Sequence, residues 1–258
     1  MQFRPCIDIH DGKVKQIVGG TLSDTGQQAR ENFVAGQDAG FYARLYRDSG
    51  IRGGHIILLN RAGTPGYEAD VGQARLALSE YPGGLMIGGG MTAENAGAFL
   101  DMGASHVIVT SYVFTDGRVD YGRLRKMVQA VGKERLVLDL SCRRRDGAYY
   151  IVTDRWQNFT DEEVCRETIE RLQDYADEFL IHAVDVEGKV SGVETELIRL
   201  LGEYAGIPVT YAGGVSSYED IETVRRLGQG RLNLTIGSAL NLFGGALVYE
   251  KVLSMMDV

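Results

Sequence analysis

Short apolar runs and longer amphipathic segments alternate along this 258-residue chain, eight of each, and that strict alternation leaves few architectures open. The apolar runs are 3–9, 55–59, 85–87, 106–109, 136–140, 179–182, 208–211 and 233–236. Rich in Val, Ile and Leu, they have the pattern of strands covered on both faces. Segments of helical periodicity follow, near 38–49, 68–80, 92–102, 120–131, 161–174, 193–204, 217–227 and 245–256. Strands separated by helices make a parallel sheet, and eight such units in a chain of this length close into a (β/α)8 barrel. The expectation is an α/β chain forming one TIM-barrel domain over residues 1–258. The rival, a doubly wound open sheet, lacks a composition break that would mark two sheet edges.

A half-length repeat is superimposed on the alternation. Asp8 in the first run matches Asp139 in the fifth, Gly89-Gly90 after the third matches Gly213-Gly214 after the seventh, and Ser111 after the fourth matches Ser238 after the eighth. Small loop insertions account for the drift between the three offsets, and two four-stranded halves of common design are expected. Asp11-Gly12 and Asp146-Gly147, each between apolar-alternating runs, read as hairpin turns after the first and fifth strands.

In this architecture chemistry sits at the C-terminal ends of the strands, where all the paired features fall. Glycine lets backbone approach a phosphate closely, and a following helix N-terminus supplies N–H donors and a favourable dipole. Gly89 and Gly90, closed by Thr110 and Ser111, form one candidate phosphate cup; Gly213 and Gly214, closed by Gly237 and Ser238, form the other. The plainer alternative is that these glycines only make tight turns. Two cups on opposite sides of a barrel mouth fit a long substrate with a phosphate at each end. Asp8 and Asp139 project between them from apolar strands, and partial desolvation there suits acid–base work; a structural or metal-ligating role is the alternative. His182 and Asp185 at the end of the sixth strand, and Trp156 and Arg143 in the loop after the fifth, are candidate substrate contacts. His182 as a strand cap, Trp156 as a core cover and Arg143-Arg144-Arg145 as a solvated charge run are the other readings.

The net charge of −8 disfavours a nucleic-acid partner, whose affinity rests on a basic face, and makes any anion site a matter of local field. No apolar stretch approaches the roughly 18–20 residues of a membrane span, and the start lacks the apolar run of a signal peptide. Three cysteines, Cys6, Cys142 and Cys165, match no zinc or redox spacing and suit a reducing compartment. A divalent metal site would want more clustered ligands, and the chain has only four histidines. A cytoplasmic location, no membrane partner and no metal are expected.

The segments Cys6-Ile7-Asp8-Ile9-His10-Asp11-Gly12-Lys13, Val14-Lys15-Gln16-Ile17-Val18-Gly19-Gly20, Val137-Leu138-Asp139-Leu140-Ser141-Cys142-Arg143 and Ile181-His182-Ala183-Val184-Asp185-Val186-Glu187-Gly188 together resemble the phosphoribosylformimino-aminoimidazole carboxamide ribotide isomerases of histidine biosynthesis, most closely their eukaryotic-type branch. The resemblance runs from about residue 3 to 248. It implies an Amadori rearrangement of a bisphosphorylated ribonucleotide from aminoaldose to aminoketose, without cofactor; separately, a monomer is expected. It also implies that the first-strand aspartate, here Asp8, is the general base and the fifth-strand aspartate, here Asp139, the general acid, although the residues themselves leave the two roles interchangeable. Lys13 and Gln16 join the candidate substrate contacts. Where many bacterial members place a threonine after the sixth strand this chain has Ala183, so that task passes to His182 or Ser141 or goes undone. The sister cyclase barrel that draws ammonia from a glutaminase, and a non-catalytic phosphosugar-binding barrel, are the competing functions.

Overall fold

The computed structural model describes residues 1–17, 31–189 and 191–257; Val18, Gly19 and Gly20 of the second quoted segment lie outside them. Eight parallel strands are observed: β1 (Cys6–His10), β2 (Gly54–Leu58), β3 (Leu85–Gly88), β4 (Val107–Val109), β5 (Leu136–Asp139), β6 (Glu178–His182), β7 (Val209–Ala212) and β8 (Leu232–Thr235). They are hydrogen-bonded in chain order from β1 to β8. The ring closes through Phe3, which bridges to Leu234 in β8, with Arg4 N donating to the Leu234 carbonyl and Leu234 N to the Gln2 carbonyl, both at 2.9 Å. The apolar run 3–9 thus serves two neighbours. Pro5, which lacks an N–H, marks the switch, and its carbonyl accepts from His55 N at 2.9 Å.

The helices are α1 (Ala39–Asp48), α2 (Pro65–Glu80), α3 (Ala96–Asp101), α4 (Tyr121–Val131), α5 (Arg166–Leu172), α6 (Thr195–Tyr204), α7 (Tyr218–Leu227) and α8 (Tyr249–Met255). Asp38, Thr64, Asp120 and Ser217 cap four of them by accepting an N–H from the first turn, which fixes where each begins. No helix among the described residues is long and apolar enough to cross a membrane.

Strand alternation sorts the core into two layers. Ile7, Ile9, Ile56, Ile87, Val107, Leu138 and Phe179 pack outward against the helices, whereas Met86, Ile108, Val137, Leu180 and Ile57 form a separate apolar plug inside the ring. Side chains alternate along a strand, so on β5 the residue two beyond Val137 is Asp139, and on β6 the residue two beyond Leu180 is His182. The plug is the floor on which the polar side chains of the mouth rest.

Both expected hairpins form. Asp11 and Gly12 have φ of 52° and 69°, and Asp146 and Gly147 of 53° and 87°, positive at both central positions as tight hairpin turns require. A third, unforeseen, turns at Asp116-Gly117 after β4, joining 114–115 to 118–119. The loop after β5 is itself a three-stranded antiparallel sheet of Cys142–Arg145, Ala148–Thr153 and Asn158–Glu163. Its last strand occupies the beginning of the segment expected to be helical from 161, so α5 starts only at Arg166. Thr160 Oγ1, donating to the Ile151 carbonyl at 2.8 Å, and Phe159, under the guanidinium groups of Arg143 and Arg145, fasten it as a strand.

Candidate active site

Asp139 ends β5 among donors. Its Oδ1 accepts from Ser141 N at 2.8 Å and from Ser141 Oγ at 2.5 Å, and its Oδ2 accepts from Thr110 Oγ1 at 3.2 Å. Ser141 Oγ also lies 3.1 Å from His182 Nδ1, which is itself 3.7 Å from Asp139 Oδ1. Burial alone would raise the Asp139 pKa, but the imidazole and the Ser141 donors outweigh it and hold the carboxyl below its ordinary value.

Asp8 is in the opposite condition. Gln16 Nε2 reaches it at 3.3 Å from Oδ2, and the Cys6 thiol makes a second side-chain hydrogen bond to it. Burial and then the nearby Glu187 carboxyl push its pKa up to about 7, with His182 opposing. His182 is the side chain both aspartates share. Burial would lower its pKa, but Asp139, Glu187 and Asp8 together bring it to about 8. Below it, His55 meets it edge to face, with ring centroids 6.3 Å apart, and is kept neutral by burial and by the His182 charge. Trp156 covers it from the loop sheet at 5.6 Å.

The glycine pairs have matching backbones: φ is 104° and 67° at Gly89 and Gly90, and 120° and 78° at Gly213 and Gly214. Close approach as well as φ demands glycine, since a Cβ would stand 2.2 Å from the Leu58 carbonyl oxygen at Gly89 and 2.9 Å from the Ala183 carbonyl oxygen at Gly213. Each cup ends in a one-turn 3₁₀ helix, Ser111–Val113 after β4 and Asn241–Phe243 after β8, a symmetry the sequence did not disclose. The helix N-termini do less than expected. Ser216 N and Ser217 N both donate to Asp220 Oδ2, and Thr92 N donates to Asn95 Oδ1. These three N–H groups at the starts of α7 and α3 are therefore already taken by side chains.

The two cups are not equivalent. Gly213, Gly214, Gly237 and Ser238 wall the same cavity as Asp8 and His182. On the other side the loop sheet leans in, and Asp154 N donates to Ser111 Oγ at 2.9 Å. The turn that does this holds three successive non-glycine residues, Asp154, Arg155 and Trp156, at φ of 52°, 57° and 68°, a conformation costing roughly 1–2 kcal/mol per residue.

Other candidates separate. Gln16 reaches the site, but Lys13 is exposed on the first hairpin. Arg143 and Asp185 pair with each other at the rim, Nε to Oδ1 at 2.9 Å, with Arg144 N adding a 2.8 Å bond to the same carboxylate, and neither lines the cavity. Cys142 is buried, and burial pushes its thiol far up. The acid that sequence reasoning passed over is Glu187. Its Oε2 is shut off from solvent without a hydrogen-bond partner, and burial raises its pKa. Two carboxylates follow β6, and the turn after the strand aims the second of them inward, which no spacing rule reveals. Among the described residues no group of three or more His, Cys, Asp or Glu side chains is arranged to hold a metal ion.

Comparison with known proteins bears on this geometry. A family model described as histidine biosynthesis protein matches residues 2–246. A chloroplastic 1-(5-phosphoribosyl)-5-((5-phosphoribosylamino)methylideneamino)imidazole-4-carboxamide isomerase of Medicago truncatula is 51% identical over 98% of this chain and 81% of its own length. Isomerases of the same name from Yarrowia lipolytica and Saccharomyces cerevisiae are 47% and 42% identical, over 95% and 96% of this chain and 93% and 94% of their own. With a match that spans the whole barrel and both halves of its mouth, this chain belongs to the histidine biosynthesis protein family.

Proposed function

We infer that this chain is the isomerase its relatives are named for, converting the bisphosphorylated aminoaldose to its aminoketose by an Amadori rearrangement. The observation that carries the reading is the pair of buried aspartates, Asp8 and Asp139, coupled to one imidazole, His182, which shares a cavity with Asp8 and the Gly213-Gly214 cup. The cups, Gly89-Gly90 with Thr110-Ser111 and Gly213-Gly214 with Gly237-Ser238, take the two phosphates, and the sugar to be rearranged lies across the aspartates. Binding two phosphates needs neither carboxylate, so their retention favours catalysis over storage.

The chemistry follows from the environments. With a pKa near neutrality, Asp8 is suited to taking a carbon-bound proton and giving it back, which requires a group that changes state easily at working pH. Asp139, held by its Ser141, Thr110 and His182 contacts, is the second carboxylate of the pair, the one the resemblance makes the acid that opens the ribose ring. The two carboxylates thus hold separated pKa values, as a site with distinct acid and base duties requires. Gln16 positions Asp8, and Trp156 is placed to cover a planar base. Three free cysteines suit a cytoplasmic or similarly reducing compartment.

Incubation of purified protein with the aminoaldose alone tests the assignment. The isomerase yields aminoketose without added ammonia, metal or cofactor. Unchanged aminoaldose would sink the reading and leave the sister cyclase or a phosphosugar binder.

A further inference from the structure

We propose that Gly237 and Gln16 interlock: the absence of a side chain at Gly237 seats the Gln16 amide, and the seated amide holds the Asp8 carboxyl in place, so that one wall of a phosphate cup is also the backstop of the base. The proposal rests on the isomerase reading above and deepens it. Gln16 is a positioning residue, and Asp8 remains the group that takes the proton.

Backbone conformation separates Gly237 from the other glycines of the cups. Gly89, Gly90, Gly213 and Gly214 all have positive φ, whereas Gly237 does not, so its conformation does not by itself require glycine. Space does. A Cβ there would run into Gln16 Oε1, with Gln16 Cδ at 3.3 Å and Cys6 Sγ at 3.4 Å, and no backbone atom is among these nearest neighbours. The clash is relieved by swinging the amide, and the amide cannot swing without leaving Asp8.

The other end of the amide shows why. Gln16 Nε2 lies 3.3 Å from Asp8 Oδ2 and 3.6 Å from Cys6 Sγ. Carboxylate and thiol sulfur both accept, so the NH₂ end belongs on their side and the carbonyl end on that of Gly237. The backbone behind it is held on two edges. The strand Lys13–Ile17 returns from the Asp11-Gly12 turn onto β1, with Val14 opposite Ile9, and pairs again with Glu31–Val34, with Gln16 opposite Phe33. Asp70 of α2 anchors the turn, its Oδ1 accepting from Gly12 N at 2.9 Å. Gln16 shares a strand face with the core residue Val14 and is only 4% exposed. A long amide fixed in such a place loses rotamer freedom and must find partners; a position that needed only filling would be met by leucine.

The groups acting on Asp8 are Glu187 from the turn after β6, His182 from β6, and Cys6 and Gln16 from its own side of the barrel. Gln16 alone among them carries no titrating group, so it orients the carboxyl equally at every pH. Its donation favours the carboxylate, and losing it should make Asp8 harder to ionise.

The test is a double-mutant cycle read as kcat/KM against pH on the aminoaldose, with the Asp8 carboxyl followed in parallel by ¹³C NMR of aspartate-labelled protein. In the unsubstituted enzyme the acid limb has its midpoint near 7. Gln16→Leu, apolar and of similar volume, should lower kcat about 10–100-fold with KM nearly unchanged, as a misplaced reacting group does. It should also move the acid limb and the carboxyl midpoint up by about 0.5–1 unit, the worth of one hydrogen bond. Gly237→Ala should do the same in the parent, yet change kcat/KM by less than about twofold in the Gln16→Ala background, the coupling expected of residues in contact. An acid limb and carboxyl midpoint unmoved in Gln16→Leu overturn the proposal. So does a Gly237→Ala change that raises KM equally with and without Gln16, because the glycine then makes room for phosphate alone. Should Gly237→Ala fail to fold, recovery of the fold by Gln16→Ala supports the interlock and failure to recover overturns it. If the unsubstituted protein leaves the aminoaldose unchanged, the isomerase reading falls, while the carboxyl titration still decides whether Gln16 holds Asp8.

Discussion

The indole of Trp156 lies 5.6 Å, centroid to centroid, from the imidazole of His182, with their planes inclined at 46°. Trp156 is the sole tryptophan of the chain, so its emission reports on this one ring. An imidazolium quenches a neighbouring indole, whereas neutral imidazole does so weakly. Fluorescence should therefore rise along a single titration with a midpoint near pH 8, and the step should vanish in His182→Gln. A pH-independent emission between 6 and 9 in the native protein would show that the ring beside Trp156 does not change charge there.

Ser141 touches both members of the Asp139–His182 pair through one hydroxyl. Ser141→Ala removes that hydroxyl but keeps the backbone bond to Asp139, so the carboxylate stays in place while the imidazole loses its tether. Turnover should fall by about 10–100-fold with KM nearly unchanged, and stability should drop by on the order of 1 kcal/mol, the net worth of a buried hydrogen bond. Equal losses in kcat and in affinity would instead assign the serine to substrate binding.

The barrel was legible because eight apolar runs and eight helical segments leave little choice of topology, and because Asp8 and Asp139 occupy inward positions of strands whose neighbours are all apolar. The half-repeat exposed the glycine pairs for the same reason: a φ near 100° at Gly89 and 120° at Gly213 can be met comfortably only by glycine, so the backbone requirement is written as residue identity. Partnerships across loops were not legible. Arg143 and Asp185 both looked available to substrate, yet they stand 42 positions apart in sequence and meet each other. Glu187 and Asp185 are alike on paper, and only the turn after β6 decides which of them enters the cavity. The donors at the start of α7 looked open because the reach of Asp220 back to Ser216 and Ser217 is a side-chain conformation, not a residue pattern.

Asp8 couples activity to stability with a definite sign. Its folded pKa of about 7 stands above the ordinary aspartate value of 3.8, so ionising it costs the native state more than the unfolded chain. That group favours folding below about pH 4, and its contribution is lost as pH rises through about 7. Asp8→Asn removes the ionisation, so its Tm should exceed that of the parent increasingly between about pH 4 and 7 and level off above, by on the order of 1–3 kcal/mol or several degrees. The same change should cut turnover by about 10²–10⁴ or more, because no carboxylate remains to take the C2 proton. A Tm difference that is flat with pH would show that Asp8 ionises as readily in the barrel as in water.

The two glycine cups share backbone geometry but not surroundings, and alanine should tell them apart. At Gly90 an added Cβ would meet Ala62 Cβ at 3.3 Å and Tyr67 Cε2 at 3.5 Å, contacts that small shifts relieve. The remaining cost is the left-handed backbone, about 1–2 kcal/mol. Gly90→Ala should therefore fold and raise KM about tenfold, near 1.4 kcal/mol, with kcat much less changed, as expected when binding is lost equally from ground and transition states. At Gly214 the Cβ would stand 2.1 Å from the Gly192 carbonyl oxygen, on a turn fastened by Gly192 N donating to the Gly214 carbonyl at 2.9 Å. Backbone must move there, and Gly214→Ala should cost about 3 kcal/mol or more, roughly 6–12 °C in Tm, before any effect on affinity is measurable. Inorganic phosphate, titrated into the parent and into Gly90→Ala, should bind the variant with one site weakened and the other intact. Loss of both sites together, or of neither, would mean that the Gly90 turn does not hold a phosphate of its own.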